Sequence, residues 1–382
     1  MDWRCGSVVI QVSSRLLIRV INRRVNDTAQ GSSSGPLIWL LTGHKAGDNT
    51  QVRALADALG WPYTAKRFRY RNYELLTNRL LGVTLAGIDR AASSELSPPW
   101  PGLVITAGRR NEPVARWIRR QSGGTTRLVH VGRPWAPLDS YDLIVTTPQY
   151  FLPDRQNILK NALPLHGLTA ERLDEAASVW GVKLAHLPRP YIAVLVGGDS
   201  GPFVYTAEKG QRLGQLINSL AASSSGSLLI TGSARTPAAV LDALQRELNV
   251  PNTIYRWSED GAGNPYLGYL ALADQLVVSG ESMSMLAEAG FTGKPLYIYD
   301  PADTGPWWRY ARNYRFKPLS HRLAMLLAPR RMHRDVGNIQ RRLVSSGRAV
   351  WLGQTFPEGQ LVTPPDDAQR AAVRVRALFE EG

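Results

Sequence analysis

The chain has 382 residues, enough for two or three domains, and its 44% hydrophobic and 20% charged residues are typical of a globular protein. The formal net charge of +14 favours anionic partners. The single cysteine, Cys5, excludes a disulfide framework and a cysteine-based zinc site, and no apolar run is long enough to span a bilayer.

The positive charge is concentrated in two segments. Residues 109–133 contain seven arginines and one acid, Glu112, and residues 312–348 contain ten Lys or Arg residues and one acid, Asp335. These segments suit an anionic acceptor or an anionic membrane surface, or they simply keep the protein in solution. Nucleic acid is not an expected partner, because no nucleic-acid-reading motif is present.

Residues 1–35 are interpreted as a basic N-terminal extension. Arg15, Arg19 and Arg23 recur every fourth residue beside an apolar face, a pattern typical of a membrane-surface helix. A disordered extension is the alternative. The continuous apolar core of a secretory signal is missing, so the expected location is the cytoplasm, either free or peripheral on the inner membrane.

Residues 36–165 predict a first Rossmann-like domain built from strand-turn-helix units. The strand 37–41 leads into a turn and helix start with Gly43, Gly47 and Asp48. The strand 103–106 leads into a turn with Arg109 and Glu112, and an arginine at this edge suits a phosphate or carboxylate. Because neither a dinucleotide-binding glycine fingerprint nor a P-loop is present, NAD binding and NTP hydrolysis lose support.

Two further features of this half allow a structural interpretation. Residues 66–79 alternate basic and aromatic side chains, which predicts a solvated helix with its aromatic residues packed inward, or else a surface for an anionic acceptor. His130 lies inside an apolar strand, 128–131, and is expected to be a hydrogen-bonded core residue rather than a catalytic base.

Residues 185–305 predict a second Rossmann-like domain after a proline-containing crossing. Three of its strands end in polar turns, and the carboxyl ends of parallel strands meet at one edge of the sheet. We therefore expect these turns to converge on a ligand. The candidate residues are Gly197, Gly198 and Ser200 in the first turn, Ser233, Arg235 and Thr236 in the second, and Glu281, Ser282 and Ser284 in the third.

The three turns are suited to a diphosphate. Backbone N–H groups of Gly197 and Gly198 would hold it, with Ser282 and Ser284 at the start of a helix. Arg235 would neutralise the leaving diphosphate, and Glu288, about two turns into the helix, would bind a ribose. Alternatively, a serine merely caps the helix and Glu288 is solvated.

Residues 306–382 are predicted to be a basic, helical C-terminal segment that returns to the first domain. Trp307 and Trp308 are expected to fill the seam between the two domains. Residues 366–381 predict a final amphipathic helix.

Six segments, in the same order, resemble the mitochondrial-fission "elongated mitochondria" family, which includes plant proteins and many bacterial relatives. The resemblance covers about residues 36–356 and implies a GT-B-like fold, as in nucleotide-sugar glycosyltransferases. For plant members it implies recruitment of a dynamin-like GTPase. The segments are LTGHKAGDNTQ, AGRRNEPVARWIRR, VLVGGDSG, ITGSARTP, NPYLGYLALAD and SGESMSMLAEAGFTGKPLYIYD.

The fold class expected is α/β, with two Rossmann-like, doubly wound domains facing a cleft. The function expected is transfer of a sugar from a nucleoside diphosphate sugar to an anionic acceptor, which a lipid could carry, at the cytoplasmic face of the membrane. Glu112 or Asp48 would be the general base. No cofactor beyond the donor and no metal is expected, since an Asp-x-Asp motif is missing. The alternative is a non-catalytic adaptor that binds a membrane or a partner protein.

Overall fold

The computed structural model describes residues 35–71, 82–200, 203–259, 261, 263–303, 327–357, 359 and 363–380. The chain divides into two compact units, Met1–Gly35 and Pro36–Gly382, and nearly all described residues belong to the second. The predicted extension up to residue 34, the segment 72–81 and the pair Trp307 and Trp308 lie outside the described residues.

The first half of the second unit is a parallel sheet with helices on both faces. Its strands are β1 Ile38–Thr42, β2 Tyr63–Arg67, β3 Leu103–Ala107, β4 Arg127–Val131, β5 Leu143–Thr146 and β6 Ile158–Lys160, and its helices are α1 Ala46–Leu59 and α2 Glu112–Gln121. The strand order is β2-β1-β3-β4-β5-β6. Strands β1, β3 and β5 are buried at every position, as expected for a parallel sheet covered on both faces.

The second half repeats this architecture. Its elements are α3 Ala170–Leu184, β7 Tyr191–Leu195, α4 Ala207–Ser223, β8 Ser227–Thr231, α5 Ala238–Arg246, β9 Asn252–Tyr255, α6 Tyr266–Leu272, β10 Gln275–Ser279, α7 Met283–Phe291, β11 Leu296–Tyr299, α8 Gly337–Ser345 and β12 Val350–Trp351. The strands are parallel in the order β12-β11-β10-β7-β8-β9.

Alternate side chains of each central strand enter different cores. In β7, Ala193 and Leu195 pack with residues of α3, α6 and α7, whereas Ile192 and Val194 pack with residues of α4 and α5. This alternation follows from the two-residue period of a strand. The predicted fold class, two Rossmann-like domains with helices on both faces of each sheet, is therefore confirmed.

The last helix, α9 Asp367–Ala377, lies on the first sheet. Its Ala371, Ala372 and Val375 share a core with Leu55 of α1. The Asp367 carboxylate accepts hydrogen bonds from the backbone N–H groups of residues 162 and 163, at 3.1 and 2.7 Å. The end of the chain is thus fixed to the domain in which the fold begins.

Two local predictions are wrong. The helix expected from Lys66 is instead the end of strand β2, although the Phe68 side chain does pack inward. β2 is an exposed edge strand with the sequence YTAKR, so it has no apolar run by which to recognise it. His130 is fully buried as expected, but neither ring nitrogen has a hydrogen-bond partner among the described residues.

Candidate functional site

Ligands of open parallel sheets bind at the carboxyl edge, where the strand order reverses. The reversal lies between β1 and β3 in the first sheet and between β7 and β10 in the second. These two points differ in character. The first opens into a cavity, whereas the turns at the second are bonded to one another.

The cavity at the first reversal has a volume of about 400 Å³. It is lined by the segments that follow β1, β2, β3 and β4, and five of its side chains are cationic: Lys45, Arg71, Arg109, Arg110 and Arg133. Of the residues predicted in this half, Gly43, Asp48 and Arg109 line it, whereas Gly47 and Glu112 do not. The other polar or aromatic lining residues include His44, Lys45, Asn49, Tyr70, Arg110, Asn111, Arg133 and Trp135.

Two asparagines fix the shape of this cavity. The Asn49 side chain accepts from the N–H of Gly43 at 2.9 Å and donates to its carbonyl at 2.8 Å. Asn111 donates to the carbonyls of Leu41 and Ala107, at 3.0 and 3.1 Å, and so holds the ends of β1 and β3. A Cβ on Gly108 would lie 2.6 Å from the Asp48 carboxylate, which shows how closely that carboxylate approaches the second turn.

Two proton acceptors lie in the cavity. Burial raises the pKa of Asp48, whereas Lys45, Arg334 and, when it is protonated, His44 act in the opposite direction. Burial, followed by Arg110 and Lys45, lowers the pKa of His44. The imidazole is therefore neutral at neutral pH, and the carboxylate is a stronger base than an exposed aspartate.

Glu112 does not have the geometry of a general base. Its side chain is 0% exposed, and its two carboxylate oxygens accept from the N–H groups of Trp135 and Ala136, each at 2.7 Å. Glu112 thus holds the turn after β4 against the start of α2. The role predicted for it is corrected to a structural one, and Asp48 is the remaining candidate. Gly47 lies in the exposed first turn of α1, with open space around it, and has no contact that requires glycine.

At the second reversal, the three predicted turns do meet, around Glu281. This carboxylate is 2% exposed and accepts from the N–H of Gly198 at 2.8 Å and from the Tyr205 hydroxyl at 2.5 Å. The N–H of Gly197 donates to Ser279 Oγ at 2.7 Å. A Cβ on Gly198 would lie 2.1 Å from the Arg235 carbonyl oxygen, so glycine is required for this close approach.

These contacts correct the predicted role of the glycines and of two hydroxyls. The N–H groups of Gly197 and Gly198 already have acceptors, so they do not hold a diphosphate. Ser233 Oγ donates to the Gly197 carbonyl at 3.0 Å, and Thr236 Oγ1 donates to the Val196 carbonyl at 3.0 Å. The four residues, with Glu281, join the turns to one another.

The start of α7 remains available to an anion. The first N–H groups of a helix have no intrahelical acceptor, and the N-cap residue Ser282 makes no side-chain capping bond. Ser284 is exposed in this first turn, and Ser200 lies in the neighbouring turn. Arg235 is exposed and donates to the Asp199 carbonyl at 3.1 Å. This end of the helix therefore combines donors with a nearby cation.

Glu288 lies farther along α7 and accepts a hydrogen bond from the Tyr266 hydroxyl of α6. Burial raises its pKa, while Tyr266 and then Arg172 act in the opposite direction. One carboxylate oxygen of Glu288 is thus already hydrogen-bonded to Tyr266. The ribose-binding role of Glu288 stays a prediction.

Residues 335–340 connect the carboxyl edges of the two sheets. Gln340 in α8 donates to the Gly280 carbonyl beside β10 at 2.6 Å. Just before that helix, the N–H of Asp335 donates to the Gln149 carbonyl at 2.8 Å, and in its first turn Asn338 donates to the Pro148 carbonyl at 3.3 Å. The loop after β5 and the turn after β10 therefore lie at opposite ends of this short segment.

The prediction from sequence omitted several residues of the cavity. His44 directly follows Gly43 at the end of β1, and its position alone was a usable signal. Arg133 and Trp135 occur in a turn at the same edge of the sheet. Arg334 gave no such signal, because only the folded chain brings it near Asp48.

Within the described part of the chain, no helix is long and apolar enough to cross a bilayer. The same residues contain no group of three or more His, Cys, Asp or Glu side chains arranged for a metal ion.

Comparison with known proteins gives a family and several relatives. Residues 46–379 match the family model described as "Mitochondrial fission ELM1". The chain is 30% identical to Mitochondrial fission protein ELM1 of Arabidopsis thaliana over 60% of this chain and 58% of that protein, so it spans less than two thirds of that relative. It is 26% identical to the uncharacterized protein RP120 of Rickettsia prowazekii, over 69% of this chain and 83% of that one. Among solved structures, MurG of Acinetobacter baumannii aligns over 91% of this chain and 100% of its own, with 14% identity and a TM-score of 0.44.

Proposed function

The chain belongs to the mitochondrial fission ELM1 family, and from that premise we propose that it is a GT-B-type glycosyltransferase. It moves a sugar from a nucleoside diphosphate sugar to an anionic acceptor. The observation that carries this proposal is the cavity of the first sheet, where the Asp48 carboxylate lies among cationic side chains. A binding surface alone has no need of a proton acceptor inside a cationic cavity.

In the proposed reaction, Asp48 takes the proton from an acceptor hydroxyl. That oxygen forms the new bond to the anomeric carbon of the donor sugar, while the bond from this carbon to the diphosphate oxygen breaks. The nucleoside diphosphate leaves with the bonding electrons. The N-terminus of α7 and the Arg235 guanidinium suit this developing negative charge.

The test is release of nucleoside diphosphate from a panel of UDP- and GDP-sugars, with a bacterial lipid extract and soluble sugar phosphates as acceptors. Asp48→Asn should lower turnover by about 10²- to 10⁴-fold, the usual contribution of a general base. Asp57→Asn is the matched control, because Asp57 lies on the same helix and is exposed. Equal rates for Asp48→Asn and the parent would remove Asp48 from the proposal.

A non-catalytic adaptor is the second candidate, favoured by the fission role in the name of the Arabidopsis relative. It would use the basic segment 109–133 to bind an anionic membrane or a partner protein at the cytoplasmic face. Vesicles containing anionic lipid distinguish the two. An adaptor binds them and transfers no sugar, and its binding is unchanged by Ser282→Ala and Glu288→Ala, whereas a transferase loses turnover with these changes.

A further inference from the structure

A basic segment, Arg330–Arg334, lies over the loop that follows β5. It begins with a single 3-10 turn, Arg330–Met332. Arg334 Nε donates to Gln149 Oε1 at 2.9 Å, and the backbones of Arg334 and Tyr150 form an antiparallel bridge. Arg133, in the turn after β4, donates through Nη1 to the carbonyls of Met332 and His333. The segment is thus fixed by contacts with the first domain.

This arrangement places Arg331 and Arg334 close enough to Arg133 for their charges to act on its guanidinium group. Burial lowers the pKa of Arg133, and the charges of Arg334 and Arg331 lower it further, whereas Tyr150 and the Glu112 carboxylate act in the opposite direction. None of the three forms an ion pair with a carboxylate in the described ranges. The adjacent acid, Asp335, pairs with Arg341 at 2.6 Å. Such a cluster of like charges is unfavourable unless an anion offsets it.

The Arg331 guanidinium is also incompletely bonded. Its Nη1 atom is buried and has no hydrogen-bond acceptor among the residues described. A buried donor on a charged group costs free energy unless it is bonded, and buried polar atoms in folded proteins nearly always have a partner. A bound anion would supply the acceptor for this atom.

The cluster adjoins the candidate site. Arg133 and Asp48 both line the cavity of the first sheet, and Arg334 is close enough to Asp48 to influence its ionisation. The planar fork of arginine matches the oxygen spacing of a phosphate, and each guanidinium can donate two parallel hydrogen bonds to it.

We propose that Arg133, Arg331 and Arg334 form a phosphate-binding site, and that it holds a phosphoryl group of the acceptor beside Asp48. Only the identity of the acceptor rests on the function proposed above. A phosphorylated acceptor held there places its neighbouring hydroxyl in the cavity that contains the base. The segment Arg330–Arg334 is therefore a specificity element of the first domain.

The test is isothermal titration calorimetry with inorganic phosphate and pyrophosphate at low ionic strength. The parent should bind both, and Arg331→Gln and Arg334→Gln should each weaken binding by at least about tenfold, the usual loss for a charge-assisted hydrogen bond. Arg331→Lys, which keeps the charge without the fork, should lie between. The matched control is Arg342→Gln, an exposed arginine of α8, which should bind as the parent does. The proposed site is wrong if the parent binds neither anion, or if all four variants bind as tightly as the parent.

The donor diphosphate is the other source of a phosphoryl group, and UDP and GDP titrations distinguish it. If a nucleotide binds the parent and Arg331→Gln weakens that binding, the site belongs to the donor and the acceptor assignment is wrong. If Arg331→Gln reduces phosphate binding and leaves the nucleotide titrations unchanged, the acceptor assignment stands. Phosphate binding that depends on Arg331 and Arg334, without any sugar transfer, would contradict the transferase and leave the phosphate site intact.

Discussion

His130 makes the stability of this protein depend on pH in a way that can be measured. Burial lowers its pKa from 6.5 to about 3, and the nearby Arg133 backbone acts in the opposite direction. The unfolded chain binds a proton as the pH falls below 6.5, whereas the folded chain stays neutral at this site until about pH 3. The contribution of the neutral His130 to the free energy of unfolding is therefore fully present above pH 6.5 and is lost progressively as the pH falls towards 3.

The size of the effect follows from this shift. A pH of 5 lies about 1.5 units below the pKa of His130 in the unfolded chain, and each unit corresponds to about 1.36 kcal/mol. His130 alone should thus reduce the free energy of unfolding by about 2 kcal/mol between pH 7 and pH 5. The side chain packs against Tyr141, with ring centroids 5.0 Å apart. His130→Leu should fill this space and remove the titrating group.

The assay is urea unfolding of the parent and of His130→Leu at pH 7, 6 and 5. At pH 7 the two should agree within about 1 kcal/mol, because the substitution breaks no hydrogen bond that the described structure contains. At pH 5 the variant should be more stable than the parent by about 2 kcal/mol. The control, His186→Gln, changes an exposed histidine and should follow the parent. Parallel pH dependences of the parent and His130→Leu would refute the reasoning.

Three further predictions concern single contacts. Gly198→Ala should lower stability by about 1 to 3 kcal/mol in calorimetric melting, because the new Cβ would meet a backbone carbonyl at 2.1 Å. Gly47→Ala, in open space on α1, should instead raise it by about 0.5 to 1 kcal/mol, and equal effects of the two changes would contradict this account. Asp367→Ala should expose α9 to limited proteolysis, because two backbone N–H groups lose their acceptor at about 1 to 3 kcal/mol each; unchanged cleavage would count against that role. If Asp48 is the general base, turnover should rise with pH through a pKa above the ordinary aspartate value, since burial raises it, and a rate profile with no such acid limb would exclude it.

The fold was largely predictable because its central strands are buried on both faces. Runs such as 37–41, 103–106 and 191–196 are continuously apolar for that reason. The edge strands β2 and β12 were not predictable, since an exposed or two-residue strand needs no apolar run. Their pairing depends on the neighbouring strand rather than on their own sequence.

The meeting of the three turns was predictable from the sequence, but the hydrogen bonds that join them were not. Strand ends correctly indicated that the turns near Gly197, Arg235 and Glu281 would meet. The sequence could not distinguish a polar group that faces a ligand from one that joins two turns. Glu281 is of the second kind, because its carboxylate takes up the Gly198 N–H. Arg334 escaped notice because nearly 290 residues separate it from Asp48, and only tertiary packing brings them close.

The account depends most on whether the second domain binds a nucleoside diphosphate at the start of α7. Calorimetric titration of UDP and GDP into the parent and into Ser284→Glu tests this directly. Glutamate in the first turn favours the helix itself but repels a diphosphate, so folding should be retained while binding is lost. We predict that at least one nucleotide binds the parent and binds Ser284→Glu at least about tenfold more weakly. Failure of every nucleotide to bind the folded parent, or equal binding by the variant, would contradict the account.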